Sequence, residues 1–147
     1  MTSLRLTIVA CLLVSGGCQP RSFEQRFFKE PLGDRVERAR QLPLAEQYKV
    51  FRYSNDVIHP PLMDMADPIA ERGAAAVPFL LSELKNSHDD IAVRDILLIF
   101  ERMARLKTYD VKSDQDVMQT FNSRIPRMRN EQWKAVCMTM LKSIEGS

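Results

Sequence analysis

Histidine, cysteine and glycine are all scarce in this chain of 147 residues. Its two histidines and three cysteines are too few for a typical zinc site, which uses several of these side chains at close spacing. Its five glycines form no phosphate-binding loop, and no GxSxG, HExxH or Cys–His nucleophile pattern occurs. The sequence therefore predicts no catalytic residue, no cofactor and no metal site.

The chain also lacks a marked excess of either basic or acidic residues. The 21 basic and 19 acidic residues give a formal net charge of +2, whereas nucleic-acid-binding proteins normally show a marked basic excess. We therefore expect no nucleic-acid partner. Leucine, methionine, alanine and charged side chains are plentiful, a composition that favours helices. The length suits a single domain.

The first 17 residues have the layout of a secretory signal peptide. Arg5 supplies the positive start, an apolar core follows from Leu6 to Val14, and small residues fill positions 15–17. The core is too short to cross a bilayer, which requires about 20 apolar residues. We expect residues 1–17 to be a signal peptide.

The run Val14-Ser15-Gly16-Gly17-Cys18 resembles the lipobox of bacterial lipoproteins. The resemblance implies that Cys18 becomes a lipidated N-terminus and that the protein is anchored in the cell envelope, facing the periplasm. Gln19 stands where an aspartate would favour retention in the inner membrane, which points to the outer membrane. The alternatives are an ordinary cleaved signal peptide and a cytosolic chain with an apolar N-terminus. The remaining Cys137 lies on an apolar helical stripe, which predicts a buried, unreactive thiol.

Prolines and a glycine indicate a tether over residues 18–34, with a short helix at 23–29 whose Phe27 and Phe28 pack on the domain. The folded domain is predicted over residues 35–147. Its last helix begins after Asn130 and ends at Gly146. The apolar stripe of that helix is predicted to be core, with Trp133 as its largest member: Trp133, Val136, Cys137, Met140, Leu141 and Ile144.

Two packed antiparallel helices are predicted over residues 67–106, joined by a short polar turn. Gly73 suits the left-handed end of the preceding helix. Pro78 falls in the first turn of the next helix, where a missing N–H costs nothing. Asp89 or Asp90 is predicted to cap the second helix. The apolar faces of this pair are too large for two helices to bury, so the flanking segments must pack on them.

The pattern Gly73-x-x-Ala76-Val77-Pro78-x-Leu80-Leu81-x-x-Leu84, a polar turn, and Asp90-x-x-Val93-Arg94 resembles one HEAT-type repeat of roughly 40 residues. The resemblance implies structural roles for Gly73, Pro78, Asp90 and Arg94, with the last two bonding within or between helical units. It also implies an all-α fold, a compact HEAT- or armadillo-like right-handed array of antiparallel helix pairs with about five to seven helices. An ordinary helical hairpin is the alternative.

Three groups of polar residues are candidate sites. His59, Asp64 and Asp67 could form a small enzyme site, although helix capping and loop roles explain them better. Two arginine clusters could contact a protein partner or anionic lipid headgroups, or could form solvated ion-paired faces. The clusters are Arg35, Arg38 and Arg40, and Arg124, Arg127 and Arg129.

The function expected from these features is that of a non-enzymatic cell-envelope lipoprotein, a protein–protein interaction scaffold or adaptor. Its lipid anchor would attach it to the membrane. It would bind a protein partner beside the central helix pair, since HEAT-like folds mostly serve as binding scaffolds. The alternatives are a small periplasmic enzyme with a site near His59, Asp64 and Asp67, and a structural protein that contacts lipid or peptidoglycan through the arginine clusters.

Overall fold

In the computed structural model of the chain, residues 22–29 and 34–146 are described, and they form helices joined by turns. The all-α class predicted from the sequence is confirmed. The α-helices are α1 (Phe23–Phe27), α2 (Arg35–Arg40), α3 (Leu44–Asp56), α4 (Asp67–Ala70), α5 (Val77–Asn86), α6 (Asp90–Leu106), α7 (Gln115–Arg124) and α8 (Glu131–Glu145). Short 3₁₀ turns lie at Met63–Ala66, Gly73–Ala76, Val111–Ser113 and Ile125–Arg127.

The described part of the chain thus contains eight α-helices, one more than the upper end of the expected range. The difference comes from short elements, since α1 has 5 residues and α4 has 4. Helix lengths range from 4 to 17 residues, which gives no regular unit length. The right-handed array of HEAT-like pairs therefore stays a prediction.

Helix α6 lies at the centre of the core. It packs most extensively against α8 and then against α4, and it also contacts α5 and the turn at Val111–Ser113. The apolar face expected for this helix is buried: Val93, Ile96, Leu97, Phe100 and Met103. Leu98 and Ile99 are buried as well, so neighbouring segments cover the helix on more than one side.

The central helix pair has the expected bounds. Pro78 lies in the first turn of α5, and Asp89 caps α6 by accepting a hydrogen bond from the Ile91 N–H at 3.0 Å. Gly73 has a φ of +54°, in the left-handed region. A Cβ on Gly73 would lie 2.4 Å from the carbonyl oxygen of Thr108. Both the backbone conformation and the close approach therefore require glycine.

The packed unit includes residues that the sequence assigned to the tether. Phe27 is buried in the core, and Phe28 stacks on Tyr53 of α3 with 5.5 Å between ring centroids. The predicted packing of these two phenylalanines is therefore confirmed. The folded domain begins before residue 35, because α1 docks on α3.

The predicted core stripe of α8 is only partly correct. Cys137, Leu141 and Ile144 are buried, but Val136 is 43% exposed. Trp133 is partly buried at the edge of the core and is not among its fully enclosed side chains. The reason is that α8 packs on α6 and on the turns at Val111–Ser113 and Ile125–Arg127, and these neighbours leave the side that carries Val136 uncovered in the described residues.

No helix within residues 22–29 and 34–146 combines the length and the apolar character needed to cross a bilayer. The predicted signal peptide and Cys18 lie outside the described residues.

Candidate functional site

A surface groove of about 390 Å³ runs along the outer side of α8, and we call it the α8 groove. Pro126 at the start of a 3₁₀ turn ends α7, and the turn brings Ile125 beneath α8. Ile125 and Leu141 are buried below the groove, at 3% and 8% exposure, while Met138 stands at its edge, 50% exposed. The lining residues are Asn122, Ile125, Pro126, Lys134, Met138, Leu141, Lys142 and Glu145.

The helical period explains this surface. Positions 134, 138, 141, 142 and 145 recur at intervals of three or four, so one side of α8 presents two lysines around Met138 and Leu141. Lys134 pairs with Glu131 at 3.1 Å. Lys142 is exposed and makes no ion pair with any residue in the described ranges. The groove therefore combines an apolar floor, an exposed methionine and a rim that carries Lys134, Lys142 and Glu145, of which Lys142 can receive an acidic group.

A second groove, of about 450 Å³, lies between α1, α3 and α5, and we call it the α3 groove. It borders the central helix pair, where the sequence placed the binding surface. Its aromatic rings already have internal partners, since Tyr48 meets Phe79 edge-on and Tyr53 stacks on Phe28, each at 5.5 Å. Only Val57, 51% exposed, presents a large uncovered apolar side chain there.

A buried carboxylate links three helices beneath the α3 groove. Asp95 of α6 is fully buried and accepts hydrogen bonds from Asn55 Nδ2 at 3.0 Å and from Arg94 Nε at 2.8 Å. Arg52 Nε of α3 lies 3.1 Å from its other oxygen. The Arg94 guanidinium lies 4.4 Å from the ring centroid of Trp133 on α8. Burial raises the pKa of the Asp95 carboxyl, and the neighbouring guanidiniums of Arg94 and Arg52 counteract this effect.

This cluster holds the helices together and is closed to solutes, since Asp95 has no exposed surface. The sequence interpretation missed it. A signal was present, because Asp95 lies three residues after Ala92 and four before Ile99, within the apolar face of α6. A charged residue in such a face needs a buried partner, but the sequence does not show that Arg52, 43 positions earlier, supplies it.

The four residues of the HEAT-like pattern have separate roles. Gly73 and Pro78 shape the entry to α5, as described above. Asp90 accepts hydrogen bonds from the backbone N–H groups of Arg129 and Asn130, at 2.7 and 2.8 Å, and so connects α6 to the start of α8. Arg94 bonds to its neighbour Asp95 and stacks on Trp133, and makes no bond with Asp90. Both polar residues thus connect helices within this chain.

The structure does not bring the predicted enzyme residues together. Asp67 and Asp64 face Arg102 of α6, at 3.3 and 3.8 Å. His59 is exposed, and neither aspartate is its hydrogen-bond or ion-pair partner in the described chain. Within residues 22–29 and 34–146, no three His, Cys, Asp or Glu side chains are placed to share a metal ion.

The first arginine cluster is occupied with intramolecular contacts. Arg40 binds Glu71 through two nitrogens, each at 2.8 Å, and Glu37 at 2.7 Å. Arg35 donates to the Phe28 carbonyl oxygen at 2.8 Å, and Arg38 donates to the Phe27 carbonyl oxygen at 3.4 Å. These arginines satisfy the carbonyl groups at the end of α1, a role that sequence reasoning did not identify.

The three arginines of the second cluster lie in different environments. Arg124 donates to the carbonyl oxygen of Ser87, which follows the end of α5. Arg127 and Arg129 are exposed on either side of the buried Met128. Of this cluster, only Arg127 and Arg129 are exposed to a partner or to lipid.

Comparison of the chain with protein-family models, with curated proteins and with solved structures found no match. Its function must therefore be argued from its own residues.

Proposed function

We propose that the chain is a non-enzymatic cell-envelope lipoprotein that binds another protein through the α8 groove. The lipobox-like run ending at Cys18 supports the anchor. The observation that carries the binding function is Met138, a large apolar side chain left half exposed at the edge of a groove with a buried apolar floor. Exposed methionines are common at protein-binding surfaces because their flexible thioether adapts to a partner.

The partner we propose is a protein that inserts an amphipathic helix carrying an acidic residue. An elongated groove along a helix accepts the apolar face of a second helix. Lys142 lies next to Leu141 and four residues after Met138, and its charge can pair with a carboxylate on the inserted helix. The α3 groove is a weaker choice, because its aromatic rings and Arg52 already have partners within the chain.

The test begins with capture in the intact envelope. A photo-crosslinking amino acid is placed at position 138 in one variant and at position 132 in a control variant. Gln132 is exposed on α8 but does not line the groove. A partner that crosslinks at 138 and not at 132 is then purified and titrated. Met138→Glu should raise its Kd at least about tenfold, because burying a methionine contributes about 1.5–3 kcal/mol.

Val57→Glu is the matched control. Val57 is as exposed as Met138, and it lines the α3 groove. If Val57→Glu weakens binding and Met138→Glu does not, the partner occupies the α3 groove and our assignment of the surface is wrong. If position 138 captures no partner, or if Met138→Glu leaves the Kd of the captured partner unchanged, binding through the α8 groove is refuted.

A further inference from the structure

Helix α1 has a fixed position on the domain. Besides the stacking of Phe28 on Tyr53, the Arg38 guanidinium lies 4.7 Å from the ring centroid of Phe27, and Arg35 lies 5.3 Å from that of Phe28. These contacts come from α2 and α3, which belong to the body of the domain. The N-terminal end of α1 therefore cannot move far without breaking several contacts with aromatic rings and backbone carbonyl groups.

The predicted anchor lies very close to this helix in the sequence. Only residues 19–21 separate Cys18 from Ser22, which caps α1. Four residue steps span at most about 14 Å. Acyl chains on Cys18 insert into a bilayer, so the start of α1 must lie within this distance of the lipid headgroups. This step rests on the proposed lipidation of Cys18.

The part of the chain next to the anchor is also the more positive part. Residues 19–40 contain 6 basic and 4 acidic side chains, whereas residues 41–147 contain 14 and 15. Arg26 is exposed on α1. A hydrogen bond from Ser22, together with the charges of Lys49 and Arg26, lowers the pKa of Glu24 on the same helix. Hydrogen bonding, with a smaller contribution from nearby cations, thus stabilises the charged form of the acidic residue closest to the anchor in the sequence.

A groove of about 440 Å³ lies on this side, and we call it the α1 groove. It is lined by Phe23, Arg26, Phe27, Arg38, Gln41 and Leu42. Arg26 is exposed at the edge of this groove, and Arg38, which already donates to the Phe27 carbonyl oxygen, adds to a positive charge that suits a phosphate headgroup. We infer that the α1 groove lies against anionic phospholipid headgroups and that the short tether from Cys18 holds it there.

This orientation has a consequence for the partner site. Helix α1 packs on α3, while α8 packs on α6, and the Asp95 cluster places α6 between α3 and α8. A membrane against α1 therefore leaves the α8 groove on the far side of α6, open to the periplasm. The anchor then presents the partner site away from the bilayer.

The test uses the acylated full protein purified from membranes and reconstituted into vesicles. Single cysteines replace Gln25 on α1 or Thr139 on α8, both exposed, and carry a fluorophore. Cys137 is fully buried and will not compete for the label. The vesicles contain equal parts of phosphatidylethanolamine and phosphatidylglycerol, with a headgroup-linked quencher. We expect stronger quenching at position 25 than at 139, because only position 25 would lie beside the labelled headgroups.

Charge variants identify the surface that makes the contact. Arg26→Glu combined with Gln41→Glu changes two residues of the α1 groove. Each cation near an anionic surface contributes about a fivefold factor in binding, so this pair should lower the quenching at position 25, while the short tether from Cys18 keeps it above that at 139. Arg127→Glu combined with Gln132→Glu makes the same change of charge on exposed residues away from α1 and should have no effect. Pure phosphatidylcholine vesicles should resemble the α1-groove variant.

The outcomes separate this inference from the proposed function. If the acylated protein shows equal quenching at both positions, the α1 groove does not face the membrane. The same conclusion follows if only the Arg127 and Gln132 double variant abolishes the quenching. Either result leaves the lipoprotein assignment standing. A mature chain without acyl mass overturns the anchor itself. Retention of partner binding in the Arg26 and Gln41 variant is expected, because the α8 groove is unchanged.

Discussion

Removing the Asp95 carboxylate should destabilise the domain strongly. In Asp95→Ala, the guanidiniums of Arg52 and Arg94 lose their shared buried acceptor, and Asn55 loses the oxygen to which it donates. Removing one partner of a buried ion pair costs about 3–5 kcal/mol. Arg94 and Arg52 keep 11% and 22% of their side-chain surface exposed, so water can solvate them in part. We therefore expect a loss near the lower end, about 3 kcal/mol.

The loss in the free energy of unfolding is measured by urea unfolding, and the change in Tm by thermal unfolding, each followed by circular dichroism. For a domain of this size a loss of about 3 kcal/mol corresponds to a fall in Tm of about 10 °C. Asp116→Ala is the control, because Asp116 pairs with Lys85 at 3.0 Å while both side chains are more than half exposed. That variant should lose at most about 0.5 kcal/mol. Equal losses in the two variants would show that the Asp95 cluster does not hold α3, α6 and α8 together as described.

Two further predictions concern the backbone and the free thiol. Gly73→Ala should lower the free energy of unfolding by about 2–4 kcal/mol, because alanine disfavours the left-handed conformation and its Cβ would meet the Thr108 carbonyl; urea unfolding unchanged from wild type would contradict this. Burial raises the pKa of the Cys137 thiol to about 11, so at pH 8 it should react with a thiol reagent only when the domain unfolds, at a rate that follows urea concentration. Labelling of native protein at the rate of a free cysteine would refute the buried position.

Local signals in the sequence predicted the helices well. The bounds of α5 and α6 follow from Gly73, Pro78 and the Asp89 cap, because each of these acts within one helical turn. Asn130 caps α8 as expected, accepting from the Trp133 N–H at 3.0 Å. Such features depend on neighbours in the sequence and need no knowledge of the fold.

Features that depend on the fold were harder to predict. Trp133 and Val136 share the period of the α8 core stripe, but their burial requires a further helix on that side. Arg35 and Arg38 look like a solvated basic cluster until α1 docks and places its carbonyl groups beside them. The α8 groove likewise arises only when the turn at Ile125–Arg127 meets α8. In each case the deciding partner is brought close by tertiary packing, which a residue pattern does not specify.

The proposed anchor at Cys18 would decide the compartment in which any partner meets this protein. It is tested most directly by the intact mass of the mature chain and by membrane fractionation of wild type and Cys18→Ser. Our account predicts that the wild-type chain begins at Cys18, carries the added mass of acyl chains and is recovered with the outer membrane, whereas Cys18→Ser lacks the added mass. Two soluble forms without acyl mass would contradict the account, and the α8 groove would then have to find its partner in another compartment.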